Sequence, residues 1–232
     1  MLKKLPKENM GTSNLGWLQS RFHFSFAQYR NPENINFGVL RVLNDDIVHP
    51  KSGFEMHPHN DMEIISYVVN GAITHKDSMG NEETLYRGEV QYMSAGTGVM
   101  HSEYNHGDED LRLLQIWIYP PKKALPTLYG SHRFSSEQRA DKLLHVVSSQ
   151  DRNAPIKIYQ DVDIFVCETA NHMEYNIQEG KQVYFVLIEG LASINGIELS
   201  QGDAMELKEE KILHVSPQML THFLFIVMNT PN

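Results

Sequence analysis

The stretch 53–71, GFEMHPHNDMEIISYVVNG, decides how the rest of the chain is read. It places His57 and His59 on either side of a proline, then runs into an apolar segment that ends at Gly71. Side chains two residues apart on a strand share a face, so both histidines can look into a barrel interior. A second triplet, His101-Ser102-Glu103, follows Gly98 and repeats that alternation. Divalent transition metals take imidazole nitrogen and carboxylate oxygen at about 2.0–2.2 Å. Two neighbouring strands that each present such a pair could supply four ligands without unusual backbone. One such triplet is weak support; the two together, each beside glycine, are considerably stronger. The candidate metal ligands are therefore His57, His59, His101 and Glu103.

The rest of the chain reads as an all-β protein, with short apolar runs punctuated by turn residues. Runs at 37–48, 62–77, 83–96 and 110–121 read as strands, and DSMGN at 77–81 as a hairpin loop with Gly80 available for positive φ. The proline-rich piece 119–130 reads as a linker and 135–144 as a short helix, after which strands return. A weak repeat is visible: IISYVVNG at 64–71 lies on VYFVLIEG at 183–190, and GEVQYM at 88–93 on GDAMEL at 202–207. Two copies of one β unit is the economical explanation. Under that alignment His57 and His59 fall on Asn176 and Gln178, and His101 falls near Val215. Amides are poor ligands for such a metal, so the second unit is expected to be metal-free.

Composition narrows the function. The 232 residues include 41% hydrophobic and 21% charged side chains, enough for a packed core. With net charge −9 and no run of Lys/Arg longer than two, the chain lacks the clustered cations that track phosphates, which argues against direct nucleic-acid binding. No stretch approaches the length of a membrane span, and the N-terminus does not have the form of a signal peptide. The single cysteine, Cys167, excludes an intrachain disulfide and reads as a small buried hydrophobe. A cytoplasmic setting is expected.

The two triplets in their glycine context are similar to the two cupin motifs. GWLQSRFHFSFAQY, GVLRVLNDD, HPHNDMEIISYVVNGAITHKDSMGN and MSAGTGVMHSEYN more narrowly resemble the pirin family, densely in the first half and in outline in the second. That resemblance implies a bicupin, two double-stranded β-helix (jelly-roll-like) barrels packed together. Here they would be 1–125 with the metal and 126–232 without it. It implies one metal, usually iron, on His57, His59, His101 and Glu103. Nickel, manganese, copper and zinc accept the same donors. In the wider cupin pattern the carboxylate ligand would be Glu63, so the two glutamates compete. The pirin-like context favours Glu103 and leaves Glu63 as a partner that orients a ligand histidine.

The resemblance also implies quercetin 2,3-dioxygenase chemistry, a metal-dependent ring opening of a flavonol-like small aromatic substrate by O2. Glu103 is the candidate general base for the substrate hydroxyl. Gln115, which shares a strand face with Leu113, Trp117 and Tyr119, is a candidate substrate contact or a solvent-facing residue. Met56, Met62 and Met100 could wall the site. The alternative from another class is a metal-containing regulatory protein that binds a protein partner. His75, near a hairpin tip, and His106 are expected to be solvated. His23, His49, His132, His145, His172, His214 and His222 are expected to be structural.

Overall fold

The computed structural model describes residues 1–231, nearly all in strands and tight turns. The chain divides into two compact units. One contains Gly11–Phe134 and Ile158–Gln160; the other contains Met1–Met10, Ser135–Lys157 and the chain from Asp161. The first strand, β1 (Leu2–Leu5), therefore belongs to the unit built mainly from the C-terminal half, where it pairs with the strand Ala204–Leu207.

The other unit begins with β2 (Gly11–Asn14), β3 (Leu18–Phe22), β4 (Leu40–Val48), β5 (Ser52–His59), β6 (Glu63–Asn70) and β7 (Ala72–Asp77). It continues through β8 (Glu82–Tyr86), β9 (Val90–Ser94), β10 (Val99–Asn105), β11 (Leu111–Ile118) and β12 (Leu128–His132). Seven of these form one sheet in the order β12-β9-β6-β11-β4-β3-β2, and four form a smaller sheet, β5-β10-β7-β8. Strand β6 is buried from Glu63 to Val69 because both of its faces are covered, and it carries two polar residues, Glu63 and Ser66, into that interior. Strand β10 alternates instead, with Val99, His101, Glu103 and Asn105 buried and Met100 exposed. It meets β5 with His101 opposite His57, and the register then shifts so that Glu103 faces Phe54. Gly53 allows this close pairing, since a Cβ there would lie 2.3 Å from the Glu103 carbonyl oxygen. The β7–β8 hairpin has Gly80 at φ 97°, as the sequence led one to expect.

The second unit follows a short helix, α1 (Ser136–Arg139), shorter than the 135–144 helix expected. Its strands are β13 (Leu144–Ser149), β14 (Ile156–Ile158), β15 (Val162–Thr169), β16 (Met173–Asn176) and β17 (Lys181–Glu189). They continue with β18 (Leu191–Ile194), β19 (Ile197–Ser200), β20 (Ala204–Leu207), β21 (Ile212–Pro217) and β22 (Thr221–Asn229). The sheets run β1-β20-β17-β22-β15-β13-β14 and β16-β21-β18-β19. The small sheet β5-β10-β7-β8 recurs as β16-β21-β18-β19, and β9-β6-β11-β4 recurs as β20-β17-β22-β15. The repeat is therefore a bicupin topology, with each of these eight strands moved on by eleven places.

Two expectations need correction. A boundary at 125/126 would cut off β12, which pairs with β9 along its length; the division lies at 134/135, and residues 1–10 change sides. The alignment of the second unit is also one residue out at His57. Matching Gly71 with Gly190 and following the pairings gives Tyr175 for His57, Ile177 for His59, Leu213 for His101 and Val215 for Glu103. Ile177, Leu213 and Val215 belong to a buried apolar cluster, and Tyr175 packs against it. Where the first barrel carries polar donors, the second is filled with hydrocarbon and an aromatic ring. Cys167 lies in the same cluster, its thiol pushed up to about 12 by burial, as an inert residue should be. Among the described residues no helix is long and apolar enough to cross a membrane.

Candidate metal centre

His57 and His59 leave the end of β5 on one face, and His101 comes to them from β10. Their ring centroids lie 4.5–4.9 Å from one another, and one ring nitrogen of each falls in a cluster no more than 4.8 Å across. His57 Nδ1 lies 2.7 Å from the Glu55 carbonyl oxygen, which can only accept. That nitrogen therefore carries the proton, and the lone pair sits on Nε2. His57 Nε2 is in turn 3.0 Å from His101 Nε2. Two nitrogens bound at right angles to one ion at about 2.1 Å would be about 3 Å apart, so the pair fits a metal. Burial and the neighbouring imidazoles lower His59 to about 4 and His101 to about 3, which keeps both rings neutral at physiological pH. Neutral imidazole is the form that ligates.

Glu103 is 3% exposed and forms a second grouping with His101 and His75. Its Oε1 accepts from the Ser66 hydroxyl at 2.8 Å, and its Oε2 from the Gln115 amide at 2.8 Å. Gln115 thus faces the interior, as one of the two readings had it, but its amide N–H is spent on holding Glu103. Both donors come from adjacent strands of the large sheet, where Gln115 stands opposite Ser66.

Glu63 lies elsewhere. Ile64 and Ser66 point into the cavity, so Glu63 points to the opposite face of β6. It is fully buried and accepts from Tyr92 Oη at 2.8 Å and from the backbone N–H groups of Tyr159 at 2.6 Å and Gln160 at 2.9 Å. It neither joins the imidazole cluster nor orients a histidine in it. Met56 and Met100 are also outside the site, being 44% and 38% exposed. His75, expected in solvent, is completely buried: it stacks on Tyr129 at 4.9 Å and contacts Asp77 at 3.1 Å, with its ring 5.4 Å from that of His101. Its place two residues before Asp77, which caps the following turn through Met79 and Asn81, was the only local signal of this.

The three imidazoles and Glu103 line a cavity of about 190 Å³ walled by Phe22, Phe26, Phe54, Ile64 and Trp117. Trp117 meets the His59 ring edge-on at 4.9 Å. Asp46, 2% exposed, shares the cavity and is raised to about 7, mainly by burial and secondarily by the charges of Asp45 and Glu103 against a hydrogen bond from Ser20. Between pH 4 and 7 the folded chain then holds a proton there that the unfolded chain has lost, so this group makes stability fall as pH rises. For metal-free protein, Asp46→Asn is expected to match wild type near pH 4 and to exceed it by on the order of 4 kcal/mol at pH 8 in urea unfolding. An equal effect at both pH values would refute the assignment.

The chain is similar to known proteins along most of its length. The family model described as Pirin matches residues 5–118, and that of the quercetinase C-terminal cupin domain matches 145–228. A quercetin 2,3-dioxygenase of Escherichia coli K12 is 38% identical over 208 residues, covering 88% of this chain and 89% of that protein. A pirin-like protein of Caulobacter vibrioides is 38% identical over 219 residues, covering 93% and 94%. The crystal structure of the bacterial pirin YhhW of Escherichia coli in complex with nickel(II) superposes with a TM-score of 0.93 at 34% identity, covering all of both chains.

Proposed function

The chain belongs to the pirin family, and from that premise we propose that it is a metal-dependent dioxygenase that opens the ring of a flavonol-like substrate with O2. The observation that carries this reading is that the three imidazoles of His57, His59 and His101 gather within 4.8 Å and line one largely apolar cavity with Glu103, which Ser66 and Gln115 hold in place. His57, His59, His101 and Glu103 are the proposed ligands of one divalent transition ion, with iron first and nickel, manganese, copper or zinc chemically admissible. When bound, that ion supplies a Lewis-acid centre that polarises the substrate oxygens.

The remaining chemistry belongs to the chain. The cavity exceeds the roughly 150 Å³ void that holds benzene, so it admits about one aromatic ring with its substituents. A flavonol would enter by its hydroxyl-bearing edge and keep its remaining rings towards the apolar rim at Leu15 and Phe26. Glu103 stands where it can take the substrate's hydroxyl proton at a carboxylate oxygen, while Ser66 and Gln115 hold its orientation. Phe54 and Trp117 keep bulk water from the ligand histidines.

The expected result is O2 uptake and loss of flavonol absorbance with iron-loaded protein. Turnover no greater than that of a His57→Ala/His59→Ala control would refute the reading.

A further inference from the structure

The outer face of the second barrel's small sheet carries a cluster of donors unrelated to the site above. Strand β16 pairs with β21 so that Glu174 stands directly opposite His214, and His172 precedes Glu174 by two residues. Their neighbours Met173, Tyr175, Leu213 and Val215 turn inward to the apolar core, which sends His172, Glu174 and His214 outward. His172 Nε2 lies 3.1 Å and His214 Nδ1 3.0 Å from the same Glu174 oxygen. One donor atom from each residue lies within 4.8 Å of the others. From this geometry we propose that His172, Glu174 and His214 form a second, surface-exposed binding site for a late divalent transition ion such as Zn2+, Ni2+ or Cu2+.

The donor chemistry suits such an ion. Zn2+ bound tetrahedrally at about 2.0–2.1 Å sets its ligands about 3.4 Å apart, so small side-chain rotations bring this triad to that spacing. Two imidazoles and a carboxylate favour Zn2+, Ni2+ and Cu2+ over Mg2+ or Ca2+, which want more oxygen. The other nitrogen of His172 is 3.0 Å from Ser216 Oγ. That contact fixes the ring so that Nε2 faces Glu174, in the way that outer partners commonly orient metal-bound histidines. Glu174 and His214 sit on two hydrogen-bonded strands and His172 immediately precedes one of them, so little backbone entropy is lost on binding. The side chains are 51%, 56% and 42% exposed, which gives an ion direct access and leaves a fourth position for water or for a donor from another molecule.

This cluster is not a remnant of the first barrel's site. By strand pairing Glu174 corresponds to Met56 and His214 to Ser102, which carry no such donors. The sequence signal was a second His-x-Glu triplet, His172-Met173-Glu174, whose completing histidine lies forty residues further on. Without that pairing, His172 and His214 read as separate structural residues.

The test is zinc titration of the full, metal-stripped chain by calorimetry. Wild type is expected to take two equivalents, and His172→Ala/His214→Ala one. His57→Ala/His59→Ala should also take one, and Glu174→Gln should weaken the surface equivalent at least tenfold. The surface substitutions replace exposed side chains, and thermal unfolding of each variant checks that the fold is kept. The proposal is overturned if His172→Ala/His214→Ala takes as many equivalents as wild type, whatever the buried site binds.

Discussion

Glu103→Ala is expected to lower metal affinity by at least about a hundredfold and to abolish turnover, since a directly bound ligand should cost no less than the 10–100-fold typical of the groups behind it. Among the described residues the carboxylate is the one acidic group that gathers with His101, and the structure spends two side chains on aiming it. Removing it should not unfold the barrel. Ser66 Oγ already lies 3.5 Å from Gln115 Oε1, so the stranded hydroxyl can donate there, and the freed Gln115 amide N–H faces the cavity, where water can take the place of the carboxylate. Gln115→Leu should give an intermediate result, about tenfold weaker metal binding, because it loosens the carboxylate without deleting it. Metal content by elemental analysis, with chelator competition for affinity, separates these outcomes. Retention of metal by Glu103→Ala would move the fourth ligand to His75, the other buried donor grouped with His101.

The candidate site was legible because its information is local. Strand alternation places His57 with His59 and His101 with Glu103 whatever the remainder of the fold does. What sequence reasoning missed depends on pairings across long separations. His75 looked solvated beside a hairpin tip, yet the ring that covers it, Tyr129, comes from β12, inside the proline-rich stretch read as linker. The assignment of β1 to the second barrel rests on its register with β20, some two hundred residues away. The second barrel's alignment failed in a particular way. Carrying the Gly71–Gly190 offset back across a loop of different length lands one residue late, on Asn176 instead of Tyr175. In a strand one residue is the difference between solvent and core. The corrected positions, Tyr175, Ile177, Leu213 and Val215, are apolar or aromatic where the first reading had amides. The exposed triad on its other face could not be seen at all from that register.

Glu63→Ala carries the largest stability effect, on the order of 3–5 kcal/mol in urea unfolding, with the imidazole cluster left intact. Burial raises the Glu63 carboxyl above its usual value, and three donors oppose that shift: Tyr92 Oη, Tyr159 N and Gln160 N. Truncation leaves all three without an acceptor in a place that water does not reach, at about 1–3 kcal/mol each before relaxation. Two of the three are backbone groups of residues 158–160, a segment that belongs to the first barrel's unit although it follows β13 and most of β14 in the chain. The carboxylate is therefore the acceptor that ties this distant segment to β6. Glu63→Gln should recover roughly half of the loss, because its carbonyl can still accept from one or two of these donors. The two glutamates then separate cleanly: Glu103→Ala should lose metal and keep its melting point, and Glu63→Ala should lose stability and, below its transition, still bind one buried metal ion per chain. The reverse pattern would show that the carboxylate fixing the segment and the carboxylate holding the metal have been interchanged.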